Sequence, residues 1–151
     1  MTTRKPELLS PAGTLRNMRY AFAYGADAVY AGLPRYSLRV RNNDFREENM
    51  AERIAEAHGL GKQFFVAVNV MPHGAKLRTF VEDMGPVVAM KPDAFIMADP
   101  GLIMLVRERW PELPVHLSVQ AKGKRLLTGR GAKEHTLHTT GYYALDTRHD
   151  E

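Results

Sequence analysis

The chain has 151 residues, with 21 Lys and Arg against 17 Asp and Glu, no cysteine and 44% hydrophobic residues. This length suits one domain with a real core, and a net charge of +4 is too small by itself to indicate a nucleic-acid-binding protein. The lack of cysteine excludes disulfides, a cysteine nucleophile and a thiolate-held zinc or iron–sulfur site made by this chain alone. No apolar run approaches the roughly 20 residues that span a bilayer, and the start has no signal-peptide core, so we predict a cytoplasmic protein with no membrane partner.

Strand-like and helix-like segments alternate from the N-terminus. A short strand at residues 7–9 ends in a turn, after which Thr14 is placed to cap a first helix and Gly25 to end it. A second strand is predicted at 28–30. An irregular basic stretch then leads to a second helix, capped by Asn49.

The third strand is the clearest, because residues 64–70 are apolar almost throughout and rich in β-branched residues. Such a run is typical of a parallel strand covered on both faces. The following helix is expected to be interrupted near Pro86, and a fourth strand occupies 94–97. Asp99 followed by Pro100 is a helix start, and a fifth strand follows at 115–119.

This alternation predicts an α/β protein with five parallel strands and intervening helices. The absence of a G-x-G-x-x-G sequence after the first strand disfavours a dinucleotide-binding sheet. We therefore predict the N-terminal half of a (β/α)8 barrel at residues 1–121. Residues 122–151 show no periodic apolar face and are predicted to be an unstructured tail.

The carboxyl ends of barrel strands carry the reactive groups of such folds. Arg39 and Arg41 lie two residues apart in the basic loop, so in an extended segment they point the same way and can clamp a carboxylate or phosphate; the alternative is a solvated loop paired with its own acidic residues. Asn69, His73 and Gln120 follow or end strands and are candidates for lining a pocket. No metal site is predicted, and the residues alone name no reaction.

Several long motifs resemble a known family, the U-thirty-two collagenase-like peptidases. They are PELLSPAGTL at 6–15, YGADAVYAG at 24–32, SLRVRNNDF at 37–45, DPGL at 99–102 and HLSVQA at 116–121. The resemblance covers about residues 4–121 and is strongest to the branch that hydroxylates tRNA.

The resemblance implies a (β/α)8 barrel, tRNA whose wobble uridine becomes 5-hydroxyuridine, prephenate as the source of the hydroxyl group, and a [4Fe–4S] cluster held by four cysteines in the full-length protein. This chain has no cysteine, and we recognise no resemblance to the family in the sequence after Ala121. We therefore expect a truncated member, without a cofactor of its own and inactive alone. A frameshift, a truncated gene or a foreign fusion would each produce this pattern.

Three other interpretations stay open from the sequence. One is a collagenase-like peptidase, and another is a non-catalytic fragment that binds RNA. The third is a nonfunctional gene remnant. A half barrel also leaves both sheet edges open, so we expect the chain to be marginally stable or to self-associate through those edges.

Overall fold

A computed structural model describes residues 7–38, 47–71, 73–118 and 138–140. Within them, short strands alternate with helices as the sequence predicts, and four of the five predicted strands lie close to their predicted positions. The first strand begins at Leu9, two residues later than predicted, and includes residues expected to form the turn. The elements in chain order are β1 (Leu9–Pro11), α1 (Leu15–Ala23), β2 (Ala28–Gly32), α2 (Glu47–Gly59), β3 (Gln63–Val68), α3 (Ala75–Ala89), β4 (Ala94–Met97), α4 (Pro100–Arg109), β5 (Val115–Ser118) and β6 (His138–Thr140).

The strands form one parallel sheet in the order in which they occur along the chain, from β1 to β6. A doubly wound sheet reverses its strand order at a switch point, whereas a barrel adds each strand beside the previous one. The order therefore confirms the half-barrel prediction over the open-sheet alternative.

The structure differs from the predicted tail over three residues. His138–Thr140 form β6, which pairs in parallel with β5 so that His116 lies opposite His138. An edge strand presents a row of unpaired N–H and C=O groups, and a short segment can pair with it without a periodic apolar pattern. Residues 138–140 lack such a pattern, so the sequence did not predict this strand. The predicted domain limits of 1–121 and 122–151 stay predictions.

Side chains alternate between the two faces of the sheet. The larger core lies between sheet and helices and includes Phe64, Val66 and Phe95. The other face carries a smaller cluster of Ala28, Phe65, Ala67, Ala94 and Ile96, with Leu9 and Tyr30 packed against it. This second cluster is what the interior of a barrel requires, and every residue of β3 from Phe64 to Val68 is buried, as predicted.

Helix ends follow the predicted chemistry. The Thr14 side chain accepts a hydrogen bond from the Asn17 N–H, and the Asp99 side chain accepts one from the Leu102 N–H, with Pro100 in the first turn. Gly25 has a φ of +96° and ends α1, because its N–H donates to the Phe22 carbonyl in a left-handed C-terminal turn.

Two helix boundaries differ from the sequence prediction. α2 begins at Glu47, before the predicted cap at Asn49. α3 continues through Pro86, where an interruption was expected. Pro86 costs the helix one hydrogen bond, but Met84 and Val87 on either side of it are fully buried, and their packing holds the helix together.

Two aspartates tie neighbouring strands together at the amino-terminal edge of the sheet. Asp93 precedes β4: its N–H donates to the Phe64 carbonyl at 3.0 Å, and its side chain accepts from the Phe64 N–H at 2.7 Å. Asp27 precedes β2 and makes the same pair of bonds with Leu8, both at 2.9 Å. Each aspartate thus fixes the register of its strand against the neighbour, at the edge where a barrel gains stability rather than chemistry.

Candidate functional site at the carboxyl edge of the sheet

The carboxyl ends of the strands meet at one edge, where a barrel places its reactive groups. Of the five predicted site residues, Asn69 and His73 belong to this edge in the structure. Arg39, Arg41 and Gln120 lie outside the described residues. The two-arginine clamp and the role of Gln120 therefore stay predictions.

Asn69 directly follows β3 and is half-buried. Its Oδ1 accepts a hydrogen bond from the Leu38 N–H at 3.2 Å. The next residue repeats the link through the backbone, because the Val70 N–H donates to the Tyr36 carbonyl at 3.2 Å. Asn69 thus joins the end of β3 to the loop that follows β2.

His73 lies in the loop before α3 and is exposed. Its carbonyl accepts from the Lys76 N–H at 3.3 Å, which forms the start of the helix. Among the hydrogen bonds of the described residues, none joins His73 to Asn69. The structure therefore brings the two residues to the same edge without pairing them.

A polar cluster that the sequence did not reveal lies behind this edge, between α3 and residues 33–38. These residues are the described part of the loop after β2, and we call them the β2 loop. The Tyr36 hydroxyl donates to Asp83 Oδ2, and Thr79 Oγ1 contacts the same oxygen at 2.9 Å. Arg35 completes the cluster, with its guanidinium 2.8 Å from Asp83 Oδ2 and 3.2 Å from Thr79 Oγ1. We call these four residues, Arg35, Tyr36, Thr79 and Asp83, the loop latch.

Burial and charge favour the protonation states that hold the loop latch together. Burial is the main factor that raises the pKa of Tyr36, and its hydrogen bond to Asp83 acts in the same direction. The Tyr36 hydroxyl is the main factor that lowers the pKa of Asp83, with Thr79 and Arg35 acting the same way. Near neutral pH the latch is therefore a neutral phenol donating to a carboxylate.

The Tyr36 ring also anchors the loop by packing. Its ring meets the Phe80 ring edge to face, with 5.5 Å between centroids, and Tyr36 is only 2% exposed. From the other end, Lys76 Nζ donates to the Arg35 carbonyl at 3.1 Å. The β2 loop is thus held to α3 by a buried ring, a charged cluster and a backbone contact.

The described residues offer no ready metal site. No group of three or more His, Asp or Glu in residues 7–38, 47–71, 73–118 and 138–140 lies close enough to hold an ion. The [4Fe–4S] cluster that the family resemblance implies needs cysteine thiolates. The chain has none, so its residues do not fit that cluster.

None of the described helices combines the length and apolar character that crossing a bilayer requires.

Sequential parallel strands with polar groups gathered at their carboxyl edge define a barrel-type α/β protein. Comparison with known families is specific: the model of Peptidase family U32 matches residues 13–136. The match continues beyond Ala121, where the sequence led us to expect the resemblance to end. The chain belongs to this family.

Individual relatives are more closely related still. The chain is 74% identical to the tRNA hydroxylation protein P of Escherichia coli K12 over 117 residues, 78% of this chain and 26% of the relative. It is 70% identical to the protein of the same name from Haemophilus influenzae, over 80% of this chain and 26% of the relative. A more distant relative, 32% identical over 80% of this chain and 18% of its own length, is the 23S rRNA 5-hydroxycytidine C2501 synthase of Escherichia coli K12.

The chain therefore spans about a quarter of the length of its nearer curated relatives, and it matches their N-terminal part. In this chain, the matching part forms the first strands of a barrel.

Proposed function

We propose that this chain supplies the first strands and the carboxyl-edge loops of a protein that hydroxylates tRNA, converting wobble uridine to 5-hydroxyuridine. The observation that carries the proposal is the 74% identity to a tRNA hydroxylation protein over 117 residues. The similarity to an rRNA 5-hydroxycytidine synthase supports hydroxylation of RNA bases as the wider reaction class. Because the proposed substrate is tRNA, a cytoplasmic location is part of the same proposal.

In this proposal the chain's own residues bind and orient the substrates. Arg39 and Arg41 hold the carboxylates of prephenate, the hydroxyl source, or a phosphate of the tRNA, since paired guanidinium groups suit both. Asn69 and His73 lie at the edge where such a substrate would approach. The iron–sulfur cluster would have to be held by cysteines from outside this chain, and no step here is assigned to it.

The chain alone is expected to be inactive, and a chimera tests the assignment. In an Escherichia coli strain that lacks its tRNA hydroxylation protein P, residues 7–118 of this chain replace the matching segment of that relative. Mass spectrometry of tRNA nucleosides then measures 5-hydroxyuridine and its derivatives. We expect the chimera to restore them and the 151-residue chain to leave them absent.

A chimera that accumulates as a folded protein and gives no hydroxylated uridine would overturn the proposal. The family's description as peptidases supports a second candidate, proteolysis. Gelatin cleavage by the same purified chimera would favour that candidate, provided that the activity persists after iron is removed. If the chain itself binds tRNA while the chimera shows neither activity, it is an RNA-binding fragment.

Self-association is the remaining part of this proposal. In the described residues β1 pairs only with β2, so its other edge is available to a further strand. An uncovered edge of this kind favours pairing with a second copy. Size-exclusion chromatography with light scattering is expected to show dimers or larger species, and a monomer that melts cooperatively would contradict this.

A further inference from the structure

We propose that the loop latch is a positioning device for the carboxyl-edge site, in which Tyr36 and Asp83 hold Asn69 and the β2 loop in the geometry that binds tRNA. The inference rests on the proposed function for the identity of the ligand, but the latch itself is argued from contacts alone.

The latch spans three separate elements. Tyr36 lies in the loop after β2, Asp83 lies in the middle of α3, and the Tyr36 backbone carbonyl accepts from Val70, just beyond β3. One residue therefore connects a helix on the outside of the sheet to the ends of two neighbouring strands. Because the bond to β3 runs through the Tyr36 backbone, a shift of that backbone would reach both strand ends.

The path from the latch to Asn69 is short. Tyr36, Ser37 and Leu38 are consecutive, and the Leu38 N–H is the donor that Asn69 Oδ1 accepts. Ser37 is 4% exposed and its N–H donates to the Leu33 carbonyl at 2.9 Å, which makes this stretch a tight turn rather than a free loop. Fixing Tyr36 therefore fixes the partner of the Asn69 side chain.

Packing of the Tyr36 ring does not by itself require the hydrogen bond to Asp83. The Tyr36 ring is already buried against Phe80, so a phenylalanine would keep the packing. What the hydroxyl adds is a directional bond to Asp83, which sets the height and rotation of the ring relative to α3. Directional bonds of this kind are how sites keep side chains within a few tenths of an ångström of the working geometry.

Hydrogen exchange on the chain itself tests the latch without reference to activity. The reporters are the Leu38 and Val70 amides, and the variants are Tyr36→Phe and Asp83→Ala, which remove the donor and the acceptor of the Tyr36–Asp83 hydrogen bond. We expect exchange at both amides to become roughly three- to tenfold faster, the factor that follows from the loss of one hydrogen bond of ordinary strength. Tyr24→Phe and Glu82→Ala remove a hydroxyl and a carboxylate from exposed positions and should leave both amides unchanged.

Filter binding of the chimera to tRNA tests the positioning role. Tyr36→Phe and Asp83→Ala are expected to raise the Kd for tRNA roughly three- to tenfold at an unchanged saturation level. A merely structural role would instead lower the saturating amount bound, because fewer molecules are folded, and would leave the Kd alone.

The outcomes separate the two proposals. Unchanged exchange at Leu38 and Val70 in both variants overturns the latch. Faster exchange with an unchanged Kd overturns its role in positioning a tRNA site. If the unsubstituted chimera fails to hydroxylate tRNA, the proposed function fails, whereas the exchange measurement still decides whether the latch holds the two strand ends.

Discussion

Asp93 offers the sharpest test of how the sheet is held in register. Its carboxylate accepts the Phe64 N–H at 2.7 Å, and His58 Nε2 lies 2.9 Å from the same oxygen. Asp93→Ala would leave the N–H of a fully buried residue without its partner, which costs about 1–3 kcal/mol. The His58 side chain is 40% exposed, so losing its contact with Asp93 adds under about 1 kcal/mol to this cost.

We therefore expect Asp93→Ala to lower the free energy of unfolding by about 2 kcal/mol and the Tm by roughly 5–10 °C. Urea unfolding followed by circular dichroism measures the first quantity and a thermal scan the second. Asp93→Asn keeps an oxygen that can accept the Phe64 N–H, and should cost under about 1 kcal/mol.

Asp27→Ala is the matched comparison at the other strand pair. Leu8 is 54% exposed, so water can replace the lost acceptor, and the cost should again be under about 1 kcal/mol. If Asp93→Ala proves as mild as Asp27→Ala, or Asp93→Asn as damaging as Asp93→Ala, then the hydrogen bond to Phe64 is not what the carboxylate contributes.

Three further predictions concern backbone, pH and charge. Gly25→Ala should destabilise the chain by about 1 kcal/mol in urea unfolding because its φ of +96° disfavours a side chain. Gly59→Ala, at the last residue of α2 with open space around the added Cβ, should instead stabilise it slightly, by up to about 0.5 kcal/mol. Equal effects of the two substitutions would contradict this. The lowered pKa of Asp83 gives stability that is present above the ordinary pKa and is lost as the pH falls through the folded pKa, so Asp83→Asn should flatten the acid limb of a stability–pH curve. The raised pKa of Tyr36 gives stability that is present below the ordinary pKa and is lost as the pH rises through the folded pKa, so Tyr36→Phe should flatten the alkaline limb. In the chimera, Arg39→Ala with Arg41→Ala should weaken tRNA binding and make the slope of log K against log salt shallower by about 2, and an unchanged slope would remove both arginines from the phosphate-binding set.

The sequence predicts the architecture well because the relevant signals are local. Thr14 and Asp99 cap helices through side chains three residues from their partners, and Gly25 supplies a backbone angle that other residues disfavour. The apolar run of β3 shows burial on both faces without any knowledge of its neighbours. Each of these features depends on a few adjacent residues.

The features that sequence reasoning missed depend on distant contacts. Tyr36 and Asp83 are 47 residues apart, and nothing in either segment indicates that they meet. The helix through Pro86 survives because of packing that only the folded core supplies. One missed feature did have a signal in the sequence. An Asp followed by Ala and two apolar residues occurs at both 27–30 and 93–96, and this repeat marks the two aspartates that join neighbouring strands.

The sequential strand order has a consequence for how the protein is made. From β1 to β5, each strand pairs with the strand that comes one helix later, so none of these pairings has to wait for a distant part of the chain. Local pairing of this kind keeps the loops that must close short and folding fast. As the chain leaves the ribosome, each new strand and helix can therefore dock on a finished edge, and the sheet grows in one direction during synthesis.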